Sequence, residues 1–372
     1  MYNYIYISIV FNFKMESAKP QKIYSIHVLR GVAIIMIVFS HCLGVFKNSN
    51  LIANSYLFSF LNLFAFNFTT FFVLIAGFLF QHLTYKFDTK TYYLSKFKTV
   101  VCPYISVSIF CFFFYHYHYQ YLSGLPWYSS TEPNVISSII RMMLTGTQLL
   151  PLWFMPMIII VYLMGPLLFY WSKKNLIVAG LIAMLWVVMF TKPDFTKPFL
   201  NLLHYGPVYL IGMMLKQNYE TIMKSVKDNL LLVIFLFGLC FFIPFAYRYM
   251  DYFGIQNLYF DTLQKIILFI LALYFLDGLN HKVNEGKIYK FFSYMANVSF
   301  PIYFIHEIIV IELERQLYMS PMGDIIKTSN GELASLGAIS FLVSTLVISV
   351  IIANIIKLVF KDKAKYLIGG MR

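Results

Sequence analysis

The sequence predicts an all-α membrane protein, a polytopic bundle of about ten transmembrane helices with both termini in the cytosol. Of its 372 residues, 60% are hydrophobic and 12% are charged, whereas soluble domains carry roughly 45–50% apolar and about 25% charged residues. The mean hydropathy is +0.71, and the apolar residues form runs long enough to cross a bilayer. These observations exclude a water-soluble enzyme.

The apolar runs define the predicted elements in chain order. A helix needs about 20 such residues to cross a bilayer core of about 30 Å. The candidates are approximately residues 29–46, 57–80, 100–117, 151–171, 176–191, 199–215, 230–250, 263–279, 295–313 and 333–359.

The ends of the chain are expected to flank one membrane domain. We assign residues 1–21 to an N-terminal extension, 22–365 to the membrane domain and 366–372 to a cytosolic tail. Met15 and the polar residues after it are typical of an ordinary translation start. Residues 1–14 are therefore interpreted either as a start assigned too early or as an extension.

Charge placement supports this topology. With a cytosolic N-terminus, 21 of the 29 Lys and Arg residues fall in inner segments and eight in outer ones, as the positive-inside rule requires. Orientation of the protein in the membrane therefore explains the net charge of +13, and attraction of a polyanionic cytosolic ligand is the second interpretation. The basic residues lie between apolar runs, so a nucleic-acid partner is excluded.

The four Cys residues have neither the density of a disulfide framework nor the spacing of a zinc site. The sequence therefore predicts no metal.

The first segment carries two residues that membranes rarely tolerate, Arg30 and His41. They are eleven positions apart, so at about 100° per residue they lie within about 20° of the same helix face. A rise of about 1.5 Å per residue separates them by roughly 16 Å. We expect Arg30 at the cytosolic rim and His41 beyond the midplane. A snorkelling anchor and a packing histidine are the alternatives.

The ninth segment offers a second titratable pair, His306 and Glu307. His306 and His41 each lie about twelve residues from the inner end of their segments, so both imidazoles are expected at one depth, where they could share a chamber. Glu307 points about 100° away from His306, so these two are not assumed to pair. The alternative is a structural helix kinked by proline.

Five stretches of the chain resemble, in order, segments of the acyltransferase 3 family of integral-membrane enzymes. The first-helix pattern of that family, Arg and His separated by ten residues, is similar to Arg30 and His41 here. The other matching stretches are FFVLIAGFLF (71–80), LWFMPMIIIVYLMGPLL (152–168), YGPVYLIGMML (205–215) and VSFPIYFIH (298–306). The resemblance covers approximately residues 22–360.

The chain departs from the family pattern in one place. The stretch KFKTVVCPY has Lys96 and Lys98 in place of arginines that many members carry, and Val100 at the last arginine position. This looks similar to the subgroup that acts on poly-N-acetylglucosamine adhesin.

The resemblance implies a bacterial, multi-pass plasma-membrane enzyme that O-acylates cell-surface sugars. Its co-substrate would be cytosolic acyl-CoA, acetyl or succinyl, with no permanently bound cofactor. Its other partners would be a polysaccharide or lipid-linked glycan acceptor, membrane lipids and proteins of glycan synthesis or export.

The resemblance also implies roles for individual residues. His41 would be the general base or the acceptor of the acyl group, and Arg30, Lys96 and Lys98 would bind the CoA phosphates. His306 would orient the acceptor or stabilise an oxyanion. The remaining expected acceptor contacts are Trp153 and Glu307.

Three other functions stay open at this point. A glycan transporter or flippase also needs many helices and a polar interior. A polysaccharide polymerase or ligase would commonly carry a large external loop rich in arginine, whereas the longest predicted outer loop here holds only Arg141. An inactive scaffold is the third alternative.

Overall fold

The computed structural model describes residues 24–46, 55–118, 135–189, 196–250, 258–283, 286–320 and 331–370. The regular structure within these ranges is helical and contains no β-strand, in agreement with the predicted all-α class. Residues 1–23 lie outside them, so the predicted N-terminal extension remains a prediction.

Sixteen α-helices of at least eight residues form the described structure. They are α1 (Tyr24–Val45), α2 (Tyr56–Ala65), α3 (Thr69–His82), α4 (Thr89–Lys96), α5 (Cys102–His118), α6 (Val135–Thr145), α7 (Phe154–Leu163), α8 (Gly165–Ser172), α9 (Ile177–Met189), α10 (Pro198–Gln217), α11 (Tyr219–Asp228), α12 (Leu230–Met250), α13 (Leu258–Val283), α14 (Lys287–Asn297), α15 (Ser299–Met319) and α16 (Gly331–Phe360).

Four helical stretches among the described residues are long and apolar enough to cross a membrane, and the number rises to seven if each of three bent helix pairs forms one span. The four are Tyr24–Val45, Tyr56–His82, Thr89–Phe114 and Gly331–Leu367. The helices are those of a membrane protein. The count of about ten and the cytosolic position of both termini remain predictions.

Three of the predicted continuous segments, 57–80, 151–171 and 295–313, are interrupted, and a particular residue marks two of the breaks. The segment 57–80 breaks between α2 and α3, where Asn67 has φ of 61°, a left-handed conformation that Asn tolerates better than most residues. The segment 295–313 bends by 75° between α14 and α15. Pro301 falls in the first turn of α15, where its missing N–H is not needed by the helix.

Helices α3 and α10 make the most extensive helix–helix contact of the described structure. Each contributes a glycine that faces the backbone of the other. A methyl group on Gly77 would overlap the carbonyl oxygen of Tyr209, and one on Gly212 would overlap that of Leu74. Small residues allow this close approach where helices associate in a membrane.

Helix α1 packs against α14, α15 and α16 as well as α3. A methyl group on Gly31 would overlap the carbonyl oxygen of Phe292 in α14. This approach of two backbones fixes the residues that flank Gly31 against the bend between α14 and α15. The polar face of α1 is therefore directed at α14 and α15.

Candidate active site

Arg30 lies where α1 meets the bend between α14 and α15. Its Nη2 donates a hydrogen bond of 2.7 Å to the carbonyl oxygen of Ala296, and the hydroxyl of Ser299 donates to the same oxygen at 2.8 Å. Carbonyls in the last turn of a helix lack partners within that helix. Arg30 therefore connects α1 to the end of α14 by satisfying one of them.

His41, further along the same face of α1, contacts a carboxylate of α15. Its Nδ1 lies 3.0 Å from Oε2 of Glu307, and the two side chains are 17% and 9% exposed. A carboxylate removed from water needs a charged or hydrogen-bonding partner. If Nδ1 carries the proton that faces Glu307, Nε2 of His41 is the nitrogen that can accept another proton.

The second imidazole, that of His306, packs edge-on against His41. The ring centroids are 5.2 Å apart at an interplanar angle of 66°, and His306 is fully buried. Its Nδ1 lies 2.9 Å from the carbonyl oxygen of Ile302, so that nitrogen is the donor. Nε2 of His306 has no hydrogen-bond partner among the described residues.

The adjacent residues His306 and Glu307 reach His41 together because they diverge by about 100° around α15. The imidazole of His41 contacts the carboxylate on one side and the second imidazole on the other. The divergence that argued against a pair between His306 and Glu307 thus places a residue of α1 between them.

A cavity of about 50 Å³ adjoins this cluster. His41 lines it together with Trp153, which lies in a short 3₁₀ turn, Leu150–Trp153. The hydroxyl of Tyr303 donates to the carbonyl oxygen of Pro151 at 2.6 Å and so ties α15 to that turn. The other lining residues are mostly apolar: Ile37, Thr69, Phe72, Pro151, Phe154, Met155, Ser299, Phe300 and Tyr303.

The cluster has the donor set of a metal site as well as that of a base. The ligand atoms of His41, His306 and Glu307 lie within 4.8 Å of one another, and two imidazoles with one carboxylate can bind Zn²⁺. The bond from His306 Nδ1 to a carbonyl is the kind that orients a histidine ligand. These residues could therefore hold a divalent ion, although the chemistry proposed below does not use one.

The predicted phosphate-binding lysines lie away from this cluster. Lys96 ends α4 with its Nζ 4.0 Å from the ring centroid of Tyr162, and Lys98 is exposed in a π-helical turn, Phe97–Val101. Neither lysine lines the cavity, and Arg30 does not line it either. The structure brings together His41, His306, Glu307 and Trp153, but it does not place the three cations there.

Sequence reasoning did not single out Tyr303, although a signal for it was present. Tyr303 precedes His306 by three residues, so the two share a helix face, and their ring centroids are 6.2 Å apart. Thr69, Phe72 and Ser299 were also missed. They reach the cavity through the packing of separate helices, which no local spacing reveals.

The fold and the site define a helical membrane protein with a histidine–carboxylate pair at a small, largely apolar cavity. Residues 23–354 match the family model described as an acyltransferase domain. Since the match covers most of the chain, the protein belongs to the acyltransferase 3 family. It is a membrane acyltransferase that transfers groups other than amino-acyl groups. No curated protein and no solved structure matches the chain.

Proposed function

We propose that the protein transfers an acetyl group from cytosolic acetyl-CoA to a hydroxyl of a cell-surface or exopolysaccharide sugar. The observation that carries the proposal is the contact between His41 Nδ1 and Glu307 Oε2 at 3.0 Å, beside a cavity that His41 and Trp153 both line. A carboxylate that orients an imidazole is a recurrent device for general-base catalysis. The enzyme would be a multi-pass protein of the plasma membrane with about ten spans.

In the proposed reaction, Nε2 of His41 removes the proton of the acceptor hydroxyl as its oxygen attacks the thioester carbonyl. The new C–O bond forms, the C–S bond breaks, and the imidazolium returns the proton to the leaving CoA thiolate. The carboxylate of Glu307 holds the Nδ1 proton and stabilises the positive charge on His41 between these steps. A covalent route through acyl-His41 is the alternative.

We assign His306 a positioning role rather than contact with the acceptor. It does not line the cavity, and with Nδ1 donating to Ile302 its neutral ring has no proton on Nε2 for an oxyanion. Its edge-on packing against His41 limits the rotation of the catalytic ring. Trp153 is the acceptor contact that the cavity supports.

The cavity favours acetyl over succinyl as the transferred group. None of the described residues that line it is Lys or Arg, and Glu307 lies just behind His41. A succinyl carboxylate would therefore be buried without a cation, which costs several kcal/mol. We expect the value of kcat/KM for succinyl-CoA to be at least about 100-fold below that for acetyl-CoA.

Radiolabelled acetyl-CoA tests the proposal, with surface polysaccharide from cells that lack the protein as the acceptor. We expect purified parent protein to label the polysaccharide, with or without a metal chelator, and His41→Ala to lose activity by at least about 100-fold. His82→Ala is the matched control, because His82 lies at the C-terminal end of α3, the end away from the cavity residue Thr69. Equal labelling by the parent and His41→Ala would disprove the role of His41. No acetyl-CoA consumption by a folded parent would favour a transporter.

An acyl-histidine intermediate is tested separately by stopping the parent with denaturant at neutral pH during a single turnover, because acid hydrolyses an acyl-imidazole. Label that stays on the protein and is absent from His41→Ala would establish the covalent route. Label that passes only from acetyl-CoA to the polysaccharide would support general-base transfer.

A further inference from the structure

A second buried polar cluster lies among the start of α3, α10 and α13, and the proposed mechanism does not use it. Its members are Asn67, His204, Tyr205 and Thr262, each at most 8% exposed. None of them lines the cavity beside His41. Polar side chains placed so deep in an apolar protein are costly to bury and are commonly functional.

Asn67 is the centre of this cluster because it uses both ends of its amide. Its Nδ2 donates to the hydroxyl oxygen of Thr262 at 3.0 Å, and its Oδ1 accepts from the hydroxyl of Tyr205 at 2.9 Å. Nε2 of His204 lies 3.2 Å from the same Thr262 oxygen. Three separate parts of the chain are therefore joined through one side chain, and such satisfied networks make their surroundings rigid.

The conformation of Asn67 makes this arrangement specific. Its φ of 61° interrupts the helix between α2 and α3, which turns the side chain toward α10 and α13 rather than along its own helix. Most other residues would be strained at this φ. The break in the helix and the hydrogen bonds thus depend on the same residue.

The network ends at the cavity wall through one aromatic contact. The centroid of the Tyr205 ring lies 5.4 Å from that of Trp153, at an interplanar angle of 34°. The ring of His204 packs edge-on against Tyr205, with the centroids 4.7 Å apart. Trp153 in turn lines the cavity with His41. The orientation of the Trp153 indole therefore depends on where the network holds Tyr205.

We propose that Asn67, Thr262 and Tyr205 are positioning residues for the acceptor sugar, acting by holding Trp153 in the wall of the active-site cavity. This inference rests on the proposed function, in which Trp153 contacts the acceptor. Sugars bind to proteins by stacking their apolar faces on aromatic rings, so a rotated indole would weaken acceptor binding. It would not alter Arg30, Lys96 and Lys98, the residues proposed to bind the CoA phosphates.

The test compares two tyrosines that each lose a hydroxyl hydrogen-bonded within the protein. Tyr205→Phe keeps the ring and removes the bond to Asn67, whereas Tyr93→Phe removes a bond to the carbonyl of Leu163 at the end of α7. We expect Tyr205→Phe to raise the apparent KM for surface polysaccharide by about fivefold to tenfold. The KM for acetyl-CoA and the rate of acetyl-CoA hydrolysis without polysaccharide should stay unchanged. Tyr93→Phe should leave the acceptor KM unchanged.

A double-mutant cycle separates positioning from a purely structural role. In a Trp153→Ala background, Tyr205→Phe should raise the acceptor KM no further, because the indole that it positions is absent. Thr262→Val should behave as Tyr205→Phe does in both backgrounds. An additive effect, or an equal loss of transfer and hydrolysis, would overturn the positioning role.

The two proposals fail in distinguishable ways. A folded parent that consumes no acetyl-CoA would overturn the proposed function. An active parent whose acceptor KM is the same as that of Tyr205→Phe would leave the proposed function intact and overturn the role of the network.

Discussion

At His41, polar side chains from two helices touch one another inside the protein. Lys96 and Lys98, in contrast, come from a single stretch of chain and lie outside that cluster. The His41 Nδ1 to Glu307 Oε2 distance is 3.0 Å, and His306 closes the other side. Lys98 is exposed, and Nζ of Lys96 lies over the rings of Tyr92 and Tyr162. The first region is built for one geometry, while the second supplies two cations from nearby positions on a single stretch of chain.

This difference sets the expected size of each mutation's effect. A buried, mutually contacting set loses its function when one member changes, because the others cannot move to compensate. Exposed cations act through screened electrostatics and can substitute for one another. Variants in the His41 region should therefore cost far more activity than variants in the lysine segment.

The largest effect is expected from Glu307→Gln. The amide keeps the size of the side chain but cannot stabilise the positive charge that forms on His41, so kcat should fall by about 10²- to 10⁴-fold. The measurement is the rate of label transfer from acetyl-CoA to polysaccharide. Glu312→Gln, on the same helix but paired with Arg315 at its exposed end, is the control and should retain activity. A Glu307→Gln variant as fast as the parent would remove the basis for the histidine–carboxylate pair.

The next largest effect is expected from Gly31→Ala, which tests the close contact that holds α1, and with it His41, against α14. The added methyl group would overlap the Phe292 carbonyl oxygen, and overpacking of this kind costs about 1–3 kcal/mol. The thermal unfolding midpoint in detergent should fall and transfer should weaken with it. Gly44→Ala on the same helix meets no atom within 4 Å and should keep the midpoint or raise it slightly. Equal midpoints for both variants would contradict the close contact of α1 with α14.

Sequence reasoning could predict the shared face of α1 because a helix is regular. Arg30 and His41 are related by rise and rotation alone, and the structure turns both toward α14 and α15. The apolar runs and the charge bias likewise depend on local composition. These features predict a helical membrane protein without any knowledge of which helices touch.

The rest of the site depends on contacts between distant parts of the chain. Glu307 was expected near the acceptor, and nothing in the spacing of α15 shows that its partner is His41. The break at Asn67 was also missed, since no proline marks it and the hydrogen bonds of its side chain run to Thr262 and Tyr205, which are distant in the sequence. Pro301 was a readable signal for the bend at α14 and α15, but its position alone gives no bend angle.

Arg30 shares a helix face with His41 and a proposed phosphate-binding role with the lysines, and its substitution should have an intermediate effect. If its guanidinium binds a CoA phosphate, Arg30→Ala should weaken acetyl-CoA affinity by about tenfold, because charge-assisted hydrogen bonds are lost. Arg30→Lys should recover part of that affinity through its charge. Equilibrium binding of acetyl-CoA measures both. Unchanged affinity with a lower unfolding midpoint would show instead that Arg30 serves only to bond Ala296.

The smallest effect is expected from the lysines themselves, and it reveals which of the two meets the phosphates. Lys98 is exposed, while Nζ of Lys96 lies 4.0 Å from the Tyr162 ring centroid and 5.5 Å from that of Tyr92. Lys98→Gln should therefore weaken acetyl-CoA affinity by about two- to threefold, and Lys96→Gln by less. Both losses should shrink as salt is raised, because exposed charges are screened.

Lys357→Gln removes one charge from the exposed end of α16 and serves as the control for net charge. If it weakens binding as much as Lys98→Gln does, the lysine segment acts only through the overall field of the protein. A loss specific to Lys98 that persists at high salt would indicate a direct phosphate contact. The lysine segment would then have a defined geometry when CoA is bound, and the contrast with the His41 region would hold only for the protein without its substrate.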